Sequence, residues 1–106
     1  MEAALKAIAA PRRRELLRLV LERELAVGEI ASELEISGPA VSQHLVVLKE
    51  AGLVDERRNG TRHLYRARPQ GLEALREYLE AFWGDRLEAL KREAEREERS
   101  THDEHD

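Results

Sequence analysis

The spacing of apolar residues changes twice along this chain: helical up to Ala51, alternating as in strands after Leu53, and helical again beyond Pro69. Ala3 to Ala9 reads as a short helix with Leu5 and Ile8 as its apolar pair. Pro11 restarts the chain, because a first helical turn loses nothing by a missing N–H. Leu16, Leu17, Val20 and Leu21 then supply the core stripe of a second helix running to about Glu22. A third, short helix spans Gly28 to Leu34, with Ile30, Ala31 and Leu34 facing inward. Glu35 to Pro39 is a turn in which Ser37 is placed to cap a fourth helix, with Pro39 in its first turn. That helix continues to about Ala51, where Gly52 suits the left-handed residue that ends helices. Leu53–Arg58 and Thr61–Ala67 then flank Asn59-Gly60, the dipeptide favoured in a type I′ hairpin turn.

A long helix begins near Gln70 with Leu72, Leu75, Leu79 and Phe82 on one stripe and Tyr78, Trp83, Leu87 and Leu90 on a neighbouring one. Two adjacent stripes exceed what one small core takes from a terminal helix, so part of this surface is expected to meet another chain. The apolar residues thin out after Lys91. Residues 1–92 are therefore expected to form the domain, and residues 93–106 a disordered acidic tail. The fold class is mainly α with a small β-hairpin. Two short helices joined by a tight turn and followed by a hairpin make a winged helix-turn-helix, with five helices in all.

The fourth helix carries the chemistry. On a helical wheel Val41, Leu45 and Leu48 form a narrow core stripe, with Pro39, Gln43 and Val46 opposite and Ala40, Ser42 and Val47 on the flanks. Small, apolar and amide side chains outside, instead of a Glu/Lys mixture, suit close approach to a DNA groove. Gln43 can pair bidentately with adenine, and Val46 and Val47 can meet thymine methyl groups. Ser42 and Lys49 suit phosphate contacts, while His44, beside the core stripe, is better placed for a structural or phosphate role. The candidate DNA-contacting set is Ser37, Gly38, Pro39, Ala40, Ser42, Gln43, His44, Val46, Val47 and Lys49, together with Arg57, Arg58, Asn59 and Arg62 of the wing. Arg62 is best placed to reach phosphate or a minor groove. Arg12, Arg13 and Arg14 crowd a helix start, where the dipole disfavours cations, so phosphate is a candidate partner for them and a solvated basic turn the alternative.

The net charge of −4 looks wrong for a nucleic-acid binder until it is divided along the chain. Residues 1–36 carry six Lys/Arg against seven Asp/Glu, residues 37–68 six against three, and residues 69–106 six against twelve. The basic excess thus falls on the candidate DNA-binding segment, and the local field governs docking. The 106 residues suit one domain, and the absence of cysteine removes disulfides, thiolate metal sites and Cys nucleophiles. With no apolar run of membrane-spanning length and no signal-peptide pattern, a cytoplasmic protein is expected.

The runs Val27-Gly-Glu-Ile-Ala-Ser-Glu-Leu34, Ser37-Gly-Pro-Ala-Val-Ser-Gln-His-Leu-Val-Val-Leu-Lys-Glu-Ala-Gly-Leu-Val54 and Arg57-Arg-Asn-Gly-Thr-Arg-His-Leu-Tyr65 closely resemble the ArsR family of winged-helix repressors. The resemblance extends from about Leu5 to Lys91. It implies a homodimer joined through the first and last helices that binds a palindromic double-stranded operator and usually represses transcription. The residues implied at the interface are Leu5, Ile8, Leu75, Tyr78, Leu79, Phe82, Trp83, Leu87 and Leu90. Many family members release DNA on binding a metal, but the thiolate pair often found in helix three would fall here at Ala26 and Gly28, and no His lies between Gln70 and Ser100. His102 and His105, with Asp103 and Glu104, are ligand-like residues at short spacing, which in a flexible tail suit an incidental weak site better than a regulatory one. The sequence looks like the metal-free branch, with no cofactor, and is similar to members that answer to another ligand, to a protein partner or to no effector. Ala10 and Ala26 stand where the family often has good N-caps, each loss worth about 1 kcal/mol.

Two other readings compete. A winged fold that has lost DNA binding and serves as a protein-interaction module would suit the acidic total and the apolar last helix, and a sensor of an unidentified ligand would suit the missing metal site. An enzyme is disfavoured: Ser42, His44 and His63 do not form a nucleophile, base and orienting carboxylate on any face, and no Gly-rich phosphate loop is present.

Overall fold

The computed structural model describes the backbone of residues 1–104 and the side chains of residues 1–99. The tail side chains of His102, Asp103, Glu104 and His105 therefore lie outside the described residues. The elements are α1 (Glu2–Ala9), α2 (Pro11–Glu22), α3 (Val27–Leu34), α4 (Gly38–Glu50), β1 (Val54–Asn59), β2 (Arg62–Ala67) and α5 (Pro69–Glu104). Residues Met1–Leu75 pack as one compact unit, and α5 from Arg76 onward forms a second.

In the first unit, Leu16, Ile30, Val41, Leu48 and Leu53 are fully buried, drawing one core from α2, α3, α4 and the start of the hairpin. The stripe of α2 is narrower than expected. Leu16, Val20 and Leu17 span about 100° of the helix, whereas Leu21 falls about 40° beyond that arc and is 55% exposed. On α1 the buried residues are Ala4 and Ala7. The small alanines let α1 lie close against α2 and α4, which leaves the expected pair Leu5 and Ile8 half-buried at the edge of the contact. On α3 only Ile30 is buried, and Ala31 and Leu34 are half-covered.

The three arginines at the start of α2 have partners within the fold. Arg13 donates to the carbonyls of Ala7 (2.7 Å) and Lys6 (3.1 Å), and Arg14 to those of Ile8 (2.7 Å) and Ala9 (3.1 Å). These carbonyls belong to the end of α1, where acceptors lack helical donors and the dipole favours cations. Arg12 pairs with Glu15 at 2.9 Å. Arg13 and Arg14 thus close α1, so the turn is neither left to solvent nor free of partners within the fold.

The hairpin is antiparallel, and its register pairs Asn59 with Arg62, so the turn residues are Gly60 and Thr61. The expected turn was Asn59-Gly60. Gly60 has φ +67°, while Asn59 and Thr61 do not adopt positive φ. Positive φ at the first central residue alone is the requirement of a type II′ turn, which glycine meets and which spares the β-branched Thr61. A single-residue bridge outside the two strands has no sequence signal: Leu25, in the α2–α3 connection, bridges Tyr65 through Leu25 N–H to Tyr65 C=O (3.0 Å) and Tyr65 N–H to Leu25 C=O (2.8 Å). A single residue pairing on a strand edge has no period to betray it.

Residues 93–104, expected to be a disordered tail, continue α5 in the structure. Glu, Arg, Lys and Ala are good helix formers, and Arg96 pairs with Glu93 at 2.6 Å one turn away, so the backbone holds a helix without an apolar face. Among the described residues no helix is long and apolar enough to cross a membrane.

Candidate nucleic-acid interface

The exposed face of α4 begins with its cap. Ser37 is the N-cap, with its side chain accepting from the Ala40 N–H at 3.2 Å, and Pro39 occupies the first turn. Between α3 and α4, Glu35 adopts the left-handed conformation (φ +55°) and Ile36 N–H reaches Ala31 C=O at 3.2 Å, which makes the tight turn of the helix pair. Ala26, which has no capping side chain, is served instead by Glu29, whose Oε1 accepts from the Ala26 N–H at 3.0 Å. Half of a capping box therefore survives the missing Ser or Thr.

From this start α4 buries Val41, Leu45 and Leu48, while Ser42, Gln43, Val46, Val47 and Lys49 lie exposed. Val46 is 54% exposed and Val47 37%, on a helix whose opposite side is sealed. Gly38 and Ala40 are half-buried and Pro39 exposed at the same end. His44 is half-buried, and its imidazole is held below its ordinary pKa, first by burial and then by repulsion from Arg13 and Arg12. It sits between the outer face and the core, as the helical wheel predicts.

The wing sets its cations among carboxylates that the sequence reading missed. Arg57 Nε and Nη2 donate to Glu24 at 2.9 and 2.8 Å, a two-pronged pair. Arg62 donates to Glu29 at 2.7 Å, and Lys49 to Glu56 at 2.9 Å. Glu56 also holds His63 Nδ1. These two bonds keep the Glu56 carboxyl far below the usual range, at about 2, with His63 the larger cause. Glu24 is likewise lowered, chiefly by Arg57. Strand alternation puts Arg57, Asn59, Arg62 and Arg66 on one face of the hairpin and Glu56, Arg58, His63 and Tyr65 on the other. Arg58 and Asn59 are exposed near the tip. Arg57 and Glu24 stand 33 residues apart, as do Arg62 and Glu29, so no local spacing could have linked them. Among the described residues, no three His, Asp or Glu side chains converge as a metal site would need.

Comparison with known proteins agrees with this geometry. The model of the family described as bacterial regulatory protein, arsR family, matches residues 10–56. The chain is 49% identical over 82 residues to an HTH-type transcriptional regulator of Mycobacterium tuberculosis, Rv2034, covering 77% of each protein. It is also similar to the crystal structure of a possible transcriptional regulator for arsenical resistance, with 44% identity, a TM-score of 0.74, and coverage of 82% of this chain and 91% of that one. A third likeness is to the solution structure of a homodimeric winged helix-turn-helix DNA-binding domain from Mycobacterium bovis, a possible ArsR-family regulator. The identity there is 32%, the TM-score 0.65, and the coverage 79% of this chain and 78% of that one.

Proposed function

This chain belongs to the arsR family of bacterial regulatory proteins, which are DNA-binding transcriptional regulators and not enzymes, and on that premise we propose that it is a homodimeric repressor of a palindromic operator without metal sensing of its own. The observation that carries the reading is the outer face of α4, where Gln43, Val46 and Val47 stand exposed beside a basic hairpin. In this reading α4 enters the major groove, where Gln43 reads an adenine edge and the valines meet thymine methyl groups. Ser42, Lys49 and the wing arginines bind phosphate and set register. A dimer related by a two-fold axis would read two half-sites one or more helical turns apart, and occupation of a promoter would block transcription. The donor set argues against metal control, because Ala26 and Gly28 occupy the positions of the thiolate pair and the chain has no cysteine.

Selection from a random duplex library should yield an inverted repeat. Fluorescence anisotropy on that repeat should show affinity falling steeply as salt rises. Gln43→Ala combined with Arg62→Ala should weaken specific binding by about tenfold or more. Equal affinity for scrambled DNA would sink the reading, and full regulatory activity of the double variant in cells would favour a protein-interaction module instead.

A further inference from the structure

We propose that Glu24 and Glu29 set the DNA affinity of this protein from outside the base-reading face, by holding Arg57 and Arg62 in ion pairs that phosphate must break. The proposal rests on the DNA-binding reading above and deepens it. Both carboxylates are fixed by the backbone. Glu24 immediately precedes Leu25, whose two hydrogen bonds with Tyr65 tie the α2–α3 connection to β2, so the Glu24 carboxylate stands beside the wing and takes both prongs of Arg57. Glu29 is anchored by the Ala26 N–H at the start of α3 and reaches Arg62 from there. Arg57 and Arg62 lie on the same face of the hairpin, and Arg58, on the other face, has no carboxylate partner among the described residues.

The consequence is electrostatic. An arginine with no carboxylate partner that docks on a phosphate releases a condensed counterion from the DNA, which drives binding and makes it salt-dependent. An arginine already neutralised by a carboxylate contributes less. Transferring it to phosphate breaks the pair and leaves that carboxylate to take up a cation from solution, which offsets the counterion released from the DNA. Surface pairs of this kind are weak enough to open. Each therefore damps affinity and flattens its salt dependence without preventing binding.

Glu24→Gln tests this, because the amide keeps the shape and removes the charge. Anisotropy on the selected repeat is read as log affinity against log salt. The variant should bind about two- to fivefold more tightly at low salt, with a slope steeper by about 0.9. In an Arg57→Ala background Glu24→Gln should change neither quantity, and Glu22→Gln, with the same change of net charge, should leave the slope as it is. Glu29→Gln, measured with and without Arg62→Ala, gives a second arm. Unchanged or weaker binding by Glu24→Gln overturns the proposal, as does an equal effect without Arg57 or from Glu22→Gln. If the wild-type chain itself fails to prefer the repeat over scrambled DNA, the DNA-binding reading falls, and this proposal with it.

Discussion

At the scale of single residues, His44 shows how one side chain couples the outer face of α4 to the core. Half-buried and repelled by Arg13 and Arg12, it holds its proton less tightly in the folded state than at the ordinary value of 6.5. The unfolded chain then binds more protons, so stability should fall as pH drops below about 6.5, with the loss complete below the folded pKa. Glu56 works in a lower window: its carboxyl, at about 2 in the fold against 4.5 ordinarily, contributes stability above 4.5 that is lost as pH falls toward 2. Urea melts from pH 8 to pH 5 should therefore show a decline in the wild type that His44→Gln reduces. Parallel pH profiles for the two proteins would refute the assignment.

Among the elements, the join between the end of α4 and the start of α5 depends on two glycines. Gly52 has φ +76° and closes α4, and its carbonyl oxygen lies 1.8 Å from where a Cβ on Gly71 would stand. Backbone lies on both sides of this contact, so neither side can swing away. Gly71→Ala should cost about 1–3 kcal/mol or more and lower the melting temperature by several degrees. Gly28→Ala, with nothing within 4 Å of the new methyl, should be close to neutral. Equal melting temperatures for the wild type and Gly71→Ala would mean that the approach relaxes freely. Helix positions were legible because Pro11, Ser37, Pro39 and Gly52 act locally as start and stop signals. The hairpin turn was misplaced by one residue because Asn59-Gly60 and Gly60-Thr61 both supply a positive-φ glycine, and the cross-strand register decides between them.

For the whole molecule, α5 beyond Arg76 carries the surface with most to hide. Phe82, Leu87 and Leu90 are 58%, 60% and 66% exposed. Tyr78 stacks on Phe82 with ring centroids 6.0 Å apart, and Phe82 meets Trp83 edge-on at 5.1 Å. We expect this stripe to pair with the same stripe of a second copy, since an isologous contact buries it twice. Leu75, assigned to that surface from the sequence, is instead buried within the first unit at 6% exposure. It lies on the first part of α5, which folds with Met1–Leu75. Sedimentation should report a dimer for the wild type and a monomer with unchanged helicity for Phe82→Glu combined with Leu87→Glu. A dimer that survives both charges would move the interface elsewhere.

The order and type of the elements, the cap at Ser37, the outer face of α4 and the apolar stripes of α5 were all determined by the sequence alone. Each depends on residues within a few positions of one another, where helical and strand periods make neighbours predictable. Only the tertiary structure decided what the charges do. The arginines of α2 close α1, and those of the wing meet Glu24 and Glu29. Leu25 makes a single bridge to β2, and Ala4 and Ala7, in place of Leu5 and Ile8, face the core from α1. Long flexible cations take whichever partner the fold brings within reach, and a partner 33 residues away leaves no mark in local sequence.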